Sequence, residues 1–295
     1  MGHLELLQAS MQREGFDALL LGGESAGQFA AGHSRIGVHM PGWPIPVTFV
    51  PAQGLPHIVT ADPDGAVTLP GDHVHGMMWN PETLVSELAR WLEGASGLRI
   101  GTDALSPGGL ALIEAAAPGS TIVDATRLLA EVMLVKSSEE VEALGQLCGF
   151  VTTAAEAGLA GGRVAMLRAL HGAFLISYPL VSSRAVKVAV RRGGFVGEAR
   201  LGPGDPGRGE QAMSVLRPGS SASALAASLP PGVEVVGLGW GYEAPLIRDG
   251  WGTPEDLVVV SGAVLGVRWD NCGVTVVLED EGCRLLSLSP KEVAR

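Results

Sequence analysis

The stretch Leu129-Ala130-Glu131-Val132-Met133-Leu134-Val135-Lys136-Ser137-Ser138-Glu139-Glu140-Val141 divides the chain into two parts of different character. Its second half reads as a helix start, in which a serine offers its hydroxyl to free backbone N–H groups and the acids that follow sit at the positive end of the helix dipole. Val141, Leu144, Leu147, Val151, Ala154, Ala155 and Leu159 then share one helical stripe until Gly161-Gly162, so a long connecting helix is expected.

Upstream, strands alternate with helices. Helices are predicted over 4–15, 81–92 and 107–116, the second with Asn80 as cap and Pro81 in its first turn. Strands are predicted over 16–21, ending at Gly22-Gly23, over 47–51 and 55–60 as a pair, and over 98–101 and 121–124. This alternation implies a small α/β domain over 1–131. Downstream, a further helix is predicted over 165–176, followed by strand runs at 185–190, 232–237, 257–260, 263–269, 274–278 and 284–288. An α+β domain is therefore expected over 132–295.

The chain has 295 residues, 46% hydrophobic and 17% charged, enough for two domains with buried cores and unlike a disordered chain. No apolar run approaches the length of a membrane span. The first residues lack a basic segment followed by an apolar one, so no export signal is expected. Three widely spaced cysteines, Cys148, Cys272 and Cys283, fit reduced thiols in the cytoplasm. Of the net charge of −11, residues 1–150 carry all of it, with 17 acids and 6 bases, against 14 of each in 151–295. This balance excludes a uniformly basic nucleic-acid binder.

Five phrases stand out: the 129–141 stretch, Gly15-Phe16-Asp17-Ala18-Leu19-Leu20, Arg99-Ile100-Gly101-Thr102-Asp103, Gly193-Gly194-Phe195-Val196-Gly197-Glu198, and Gly237-Leu238-Gly239-Trp240-Gly241-Tyr242-Glu243-Ala244-Pro245-Leu246-Ile247. Together they resemble the creatinase, aminopeptidase P and Xaa-Pro dipeptidase family, whose catalytic domain has the pita-bread fold. The resemblance implies a creatinase-like N-terminal domain, a shortened pita-bread domain and a homodimer. It also implies two bridged divalent metals held by two Asp, one His and two Glu, whose charge turns water into a nucleophile.

The positions where those ligands are expected carry Lys187, Glu198, Val236, Arg268 and Val276. No acid occurs between Glu156 and Glu198, and His171 is the only histidine after His75. One carboxylate, or two if Glu279 is recruited, cannot hold two cations. The expectation is a member of this family that has lost its metal site and needs no cofactor, acting as a non-catalytic protein that binds a peptide or small molecule or serves as an interaction scaffold. The alternatives are a metal-independent hydrolase of an amide or related C–N bond using Glu198, Glu243 and Asp270, and an Xaa-Pro peptidase with an unusual metal site. Arg200, Trp240, Tyr242 and Glu243 are candidate cleft residues. The three acids have a competing role as ion-pair partners of Arg200, Arg268 and Lys187.

Other features admit two readings each. Arg163, Arg168, Arg184, Lys187, Arg191 and Arg192 fall in a segment without acids, which suits either an anionic ligand or the acidic N-terminal half, in the same chain or a partner. His73 and His75 on a strand would share a face as a partial metal site, to which His33 or His39 could add, or as an exposed polar edge. The glycines of 237–241 fit close backbone packing rather than a phosphate loop. Trp43, Trp79, Trp240, Trp251 and Trp269 could line a cleft or fill a core. The cysteines have no histidine nearby to activate them.

Overall fold

Upstream of the 129–141 stretch the alternating pattern produces one six-stranded sheet. The structure, a computed structural model, describes residues 2–32, 47–60, 69–76, 80–92, 96–103, 107–176, 179–192, 194–239, 241–248 and 257–294. His33, His39, Trp43, Trp79, Trp240 and Trp251 lie outside the described residues. Two units divide the chain, Met1–Val132 and Met133–Arg295.

The first unit contains α1 (His3–Glu14), β1 (Ala18–Leu21), α2 (Glu24–Ala31), β2 (Val47–Pro51), β3 (His57–Thr60), β4 (Val74–Gly76), α3 (Pro81–Trp91), β5 (Arg99–Thr102), α4 (Pro107–Ala116) and β6 (Thr121–Asp124), after which α5 (Thr126–Leu134) leads into the second. The sheet order is β4-β3-β2-β1-β5-β6. Leu20, Phe49, Leu88, Trp91, Ile100 and Ile113 belong to its main core. Asn80 caps α3 as expected, its side-chain oxygen accepting from the Glu82 N–H at 3.0 Å. At the end of β1, Asp103 accepts from the N–H groups of Gly22 and Gly23. A side chain at Gly23 would occupy the space of that carboxylate.

His73 ends a 3-10 turn while His75 lies on β4, and β3 adds His57 between them. The His57 and His73 rings stack at 4.1 Å, Trp91 stacks on His57 at 4.9 Å, and His57 Nδ1 lies 3.2 Å from His75 Nε2. Burial, with the neighbouring His73, His75 and Arg90, lowers the His57 pKa to about 4, against a smaller opposing pull from Asp72. The unfolded chain titrates near 6.5 and therefore takes the proton first. Stability contributed by neutral His57 is complete above pH 6.5 and is lost as pH falls toward 4. His57→Gln is expected to reduce the drop in urea midpoint between pH 7 and pH 5; equal drops in both proteins would refute this.

The second unit contains α6 (Ser138–Ala169), β7 (Phe174–Leu175), β8 (Leu180–Val181), β9 (Val186–Arg192), β10 (Phe195–Leu201), α7 (Pro206–Val215), α8 (Ala222–Ser228), β11 (Val233–Leu238), β12 (Tyr242–Ile247), β13 (Val264–Trp269), β14 (Cys272–Glu279), β15 (Gly282–Leu285) and α9 (Pro290–Val293). A capping box starts α6: Ser137 Oγ accepts from the Glu140 N–H, and the Glu140 carboxylate accepts from the Ser137 N–H. Gly162 breaks α6 with non-helical angles, so two helices meet there. The second ends at Ala169 rather than 176. Gly172 takes a left-handed conformation, and residues 174–175 join β9 as β7 instead. Residues 257–260 form no strand either; Val258 makes a single bridge to Ser221, and Val259 bonds the backbone of 219–220.

The sheet order is β12-β11-β13-β14-β10-β9-β7, with β15 on β14 and β8 on β9. Strands β10 and β14 share one registered pair, Arg200 with Gly273. At its other end β10 bonds across to the residue that follows β11, the Val196 N–H donating to Gly239 O at 2.7 Å. The sheet thus curls over on itself. Gly197 leaves room for Leu147 of α6.

Candidate functional site

Directly opposed residues in a sheet project to the same side, so the registers define which side chains meet. Glu198 opposes Ala189, Arg200 opposes Lys187 and Gly273, and Arg268 opposes Gly273 and Glu234. Gly266, opposite Val236 and Thr275, lies against the Glu198 carboxylate and the Val236 and Leu238 side chains. Lys187, Glu198, Val236 and Arg268 therefore share one face. Val276 points to the other face, where it opposes Leu265; Thr275, one position earlier, is the β14 residue beside Gly266.

Glu198 is the centre of this face. Arg268 holds it in a bidentate grip, with Nε and Nη2 each donating to a different carboxylate oxygen at 2.7 Å. Only 11% of the Arg268 side chain and 6% of the Glu198 side chain are exposed. The Tyr242 hydroxyl donates to Glu198 Oε2 at 3.3 Å, and Arg200 Nε lies 3.7 Å from the same oxygen. The Arg268 guanidinium also sits over the Tyr242 ring, 5.0 Å from its centroid. Burial and the Glu198 charge push the Tyr242 phenol up to about 12. For Arg268, burial works to lower the pKa, but the bonded carboxylate outweighs it and the guanidinium is held above its ordinary value.

Glu243 engages a different cation. Its Oε2 accepts from Lys136 Nζ at 2.7 Å, both side chains being almost fully buried. Lys136 also donates to the Met133 carbonyl. Asp270 lies in the β13–β14 turn in a left-handed conformation and pairs with Arg208 of α7 at 2.7 Å. The three candidate acids thus sit in three separate ion pairs rather than one cluster. Trp240 lies outside the described residues. Lys136 is the participant that residue-by-residue reading missed; its signal was a lysine directly after the apolar run 132–135.

Burial raises the Cys148 and Cys272 thiols to about 11 and also raises Cys283, so none is an activated nucleophile. Among the described residues no group of three or more His, Cys, Asp or Glu is placed to hold a metal ion, and no helix is long and apolar enough to cross a membrane.

No family model matches the chain, and no curated protein does. Solved structures match over nearly its whole length. A dipeptidase from Pyrococcus horikoshii OT3 has 15% identity and a TM-score of 0.72, covering 99% of both chains. Dipeptidase PepE from Mycobacterium ulcerans has 17% identity and a TM-score of 0.70, covering 99% of this chain and 96% of its own. The fold is that of the creatinase/aminopeptidase P family. The second unit is a shortened pita-bread domain like those of these neighbours. The same creatinase/aminopeptidase P fold is shared by the N-terminal domain of the FACT complex subunit SPT16 from Cicer arietinum, at 11% identity and a TM-score of 0.64 over 99% of this chain and 96% of that one.

Proposed function

We propose that this chain is a peptidase-fold protein that binds rather than cleaves: a non-catalytic homologue without a dinuclear metal centre, working in the cytoplasm as a homodimer that holds a peptide or small molecule. The observation that carries this reading is the bidentate Arg268–Glu198 pair. A carboxylate whose two oxygens both accept from a guanidinium has its charge spent, and a guanidinium beside it repels a cation. On the same face stand Lys187, Val236 and Thr275, none of which supplies the anionic oxygen or imidazole donor that paired hard cations require. The donor set does not fit the family's two metals. That one neighbour of this fold is named as part of the FACT complex rather than as a peptidase also favours a binding role.

The test combines metal analysis of the purified protein with an Xaa-Pro dipeptide assay in added manganese or cobalt. Substoichiometric metal and no turnover are expected. Stoichiometric metal with turnover would overturn the reading, and metal-free turnover lost in Glu198→Gln would replace it with acid/base hydrolysis.

A further inference from the structure

Five strand registers align one transverse row across the curled sheet: Leu180, Lys187, Arg200, Gly273, Arg268 and Glu234. The row carries three cations on one face. Like charges directly opposed on neighbouring strands repel and cost stability, and Lys187 and Arg200 are such a pair. Among the described residues their one buried counter-charge is Glu198, and it is already engaged: Arg268 takes both oxygens at 2.7 Å, leaving Arg200 at 3.7 Å. Glu234, at the far end, is 3.9 Å from Arg268. Asp270, whose charge reaches Cys272 together with that of Lys187, is bound by Arg208. Among the described residues no carboxylate comes within ion-pair distance of the Lys187 ammonium.

Gly273 supplies the space for this excess charge. It lies between Arg200 and Arg268 in the row, and the Arg200 stem lies over it, where a side chain would otherwise stand. The Lys187 end is open: Leu180 beside it is 53% exposed, Lys187 is half-buried, and the Arg200 side chain is 24% exposed. Lys187, with no carboxylate partner among the described residues, and Arg200, whose one carboxylate contact is a long 3.7 Å approach to an oxygen already held by Arg268, face each other on neighbouring strands and form an oxyanion receptor.

We infer that Lys187 and Arg200 bind the oxyanion group, carboxylate or phosphate, of the ligand this face takes. The inference rests on the binding reading above and names the chemistry of what is bound. Titration calorimetry of the full chain with inorganic phosphate and with succinate, at fixed ionic strength and after chelator treatment, tests it. At least one of the two is expected to bind with one-to-one stoichiometry, and which one identifies the group. Lys187→Gln and Arg200→Gln each weaken binding at least about tenfold, Lys187→Arg retains it, and Arg284→Gln, at an exposed ion pair, leaves it unchanged. In anion-free buffer Lys187→Gln melts at or above the parent temperature, because a like-charge opposition is removed. Binding of neither anion, binding that survives both Gln variants, or a lower melting temperature for Lys187→Gln overturns the inference. Metal content is read separately, so a metal-loaded protein refutes the binding reading without deciding this titration.

Discussion

Lys136→Met is expected to destabilise the protein by about 3–5 kcal/mol, the cost of removing one partner from a buried ion pair. The Lys136 and Glu243 side chains are 2% and 4% exposed and 2.7 Å apart. Gly239 packs against both; a side chain there would meet the Lys136 stem and the Glu243 carboxylate. Methionine fills the lysine volume but leaves an anionic carboxylate buried without its ammonium. The double variant Lys136→Met/Glu243→Leu removes both charges and is expected to recover most of the loss, since an apolar pair of similar volume carries no desolvation penalty. Urea unfolding of parent, single and double variants decides the matter. A single-variant loss below about 1 kcal/mol, the range of an exposed pair, would contradict the burial of this pair.

Arg268→Leu is the second large effect, at about 3 kcal/mol. It strips Glu198 of both short hydrogen bonds and leaves Arg200, 3.7 Å away and partly exposed, as the nearest cation. That residual partner places the expected loss at the lower end of the range for buried pairs. Adding Glu198→Leu should restore stability toward the parent. If Arg268→Leu alone unfolds at the parent's urea concentration, the bidentate grip contributes nothing and the reading of Glu198 as a carboxylate neutralised by Arg268 fails with it.

Much of the architecture was legible because local chemistry dictates it. Ser137 caps α6 as expected, Glu140 completing a capping box with it, and Asn80 caps α3. Strands β9, β11, β13 and β14 fall where apolar runs predicted them. The failures share a cause. Helix α7 contains Gly207 and Gly209, poor helix formers, and is sustained by the Asp205 cap and by Gly209 packing closely on the Trp269 ring. Strand β12 contains Pro245, which an edge strand tolerates. Residues 174–175 have helical periodicity but are recruited by β9. In each case tertiary contacts overrode local preference.

Glu198, Arg268 and Glu243 were visible singly, Lys136 was not, and no local pattern showed which of them meet. Glu198 and Arg268 are 70 positions apart, and Lys136 and Glu243 107. One residue of register separates Thr275, on the site face, from Val276 behind it, because strand side chains alternate with a period of two.

Composition and local pattern settle the capped start of the long helix and the acid-free segment 157–197, since each depends on neighbours in the chain. Which cation neutralises which acid was decided only by tertiary packing, which brings Arg268 to Glu198, Lys136 to Glu243 and Arg208 to Asp270. Strand register is a long-range property, and together with the packing of the segment before α6 it sets the distances over which buried charges act.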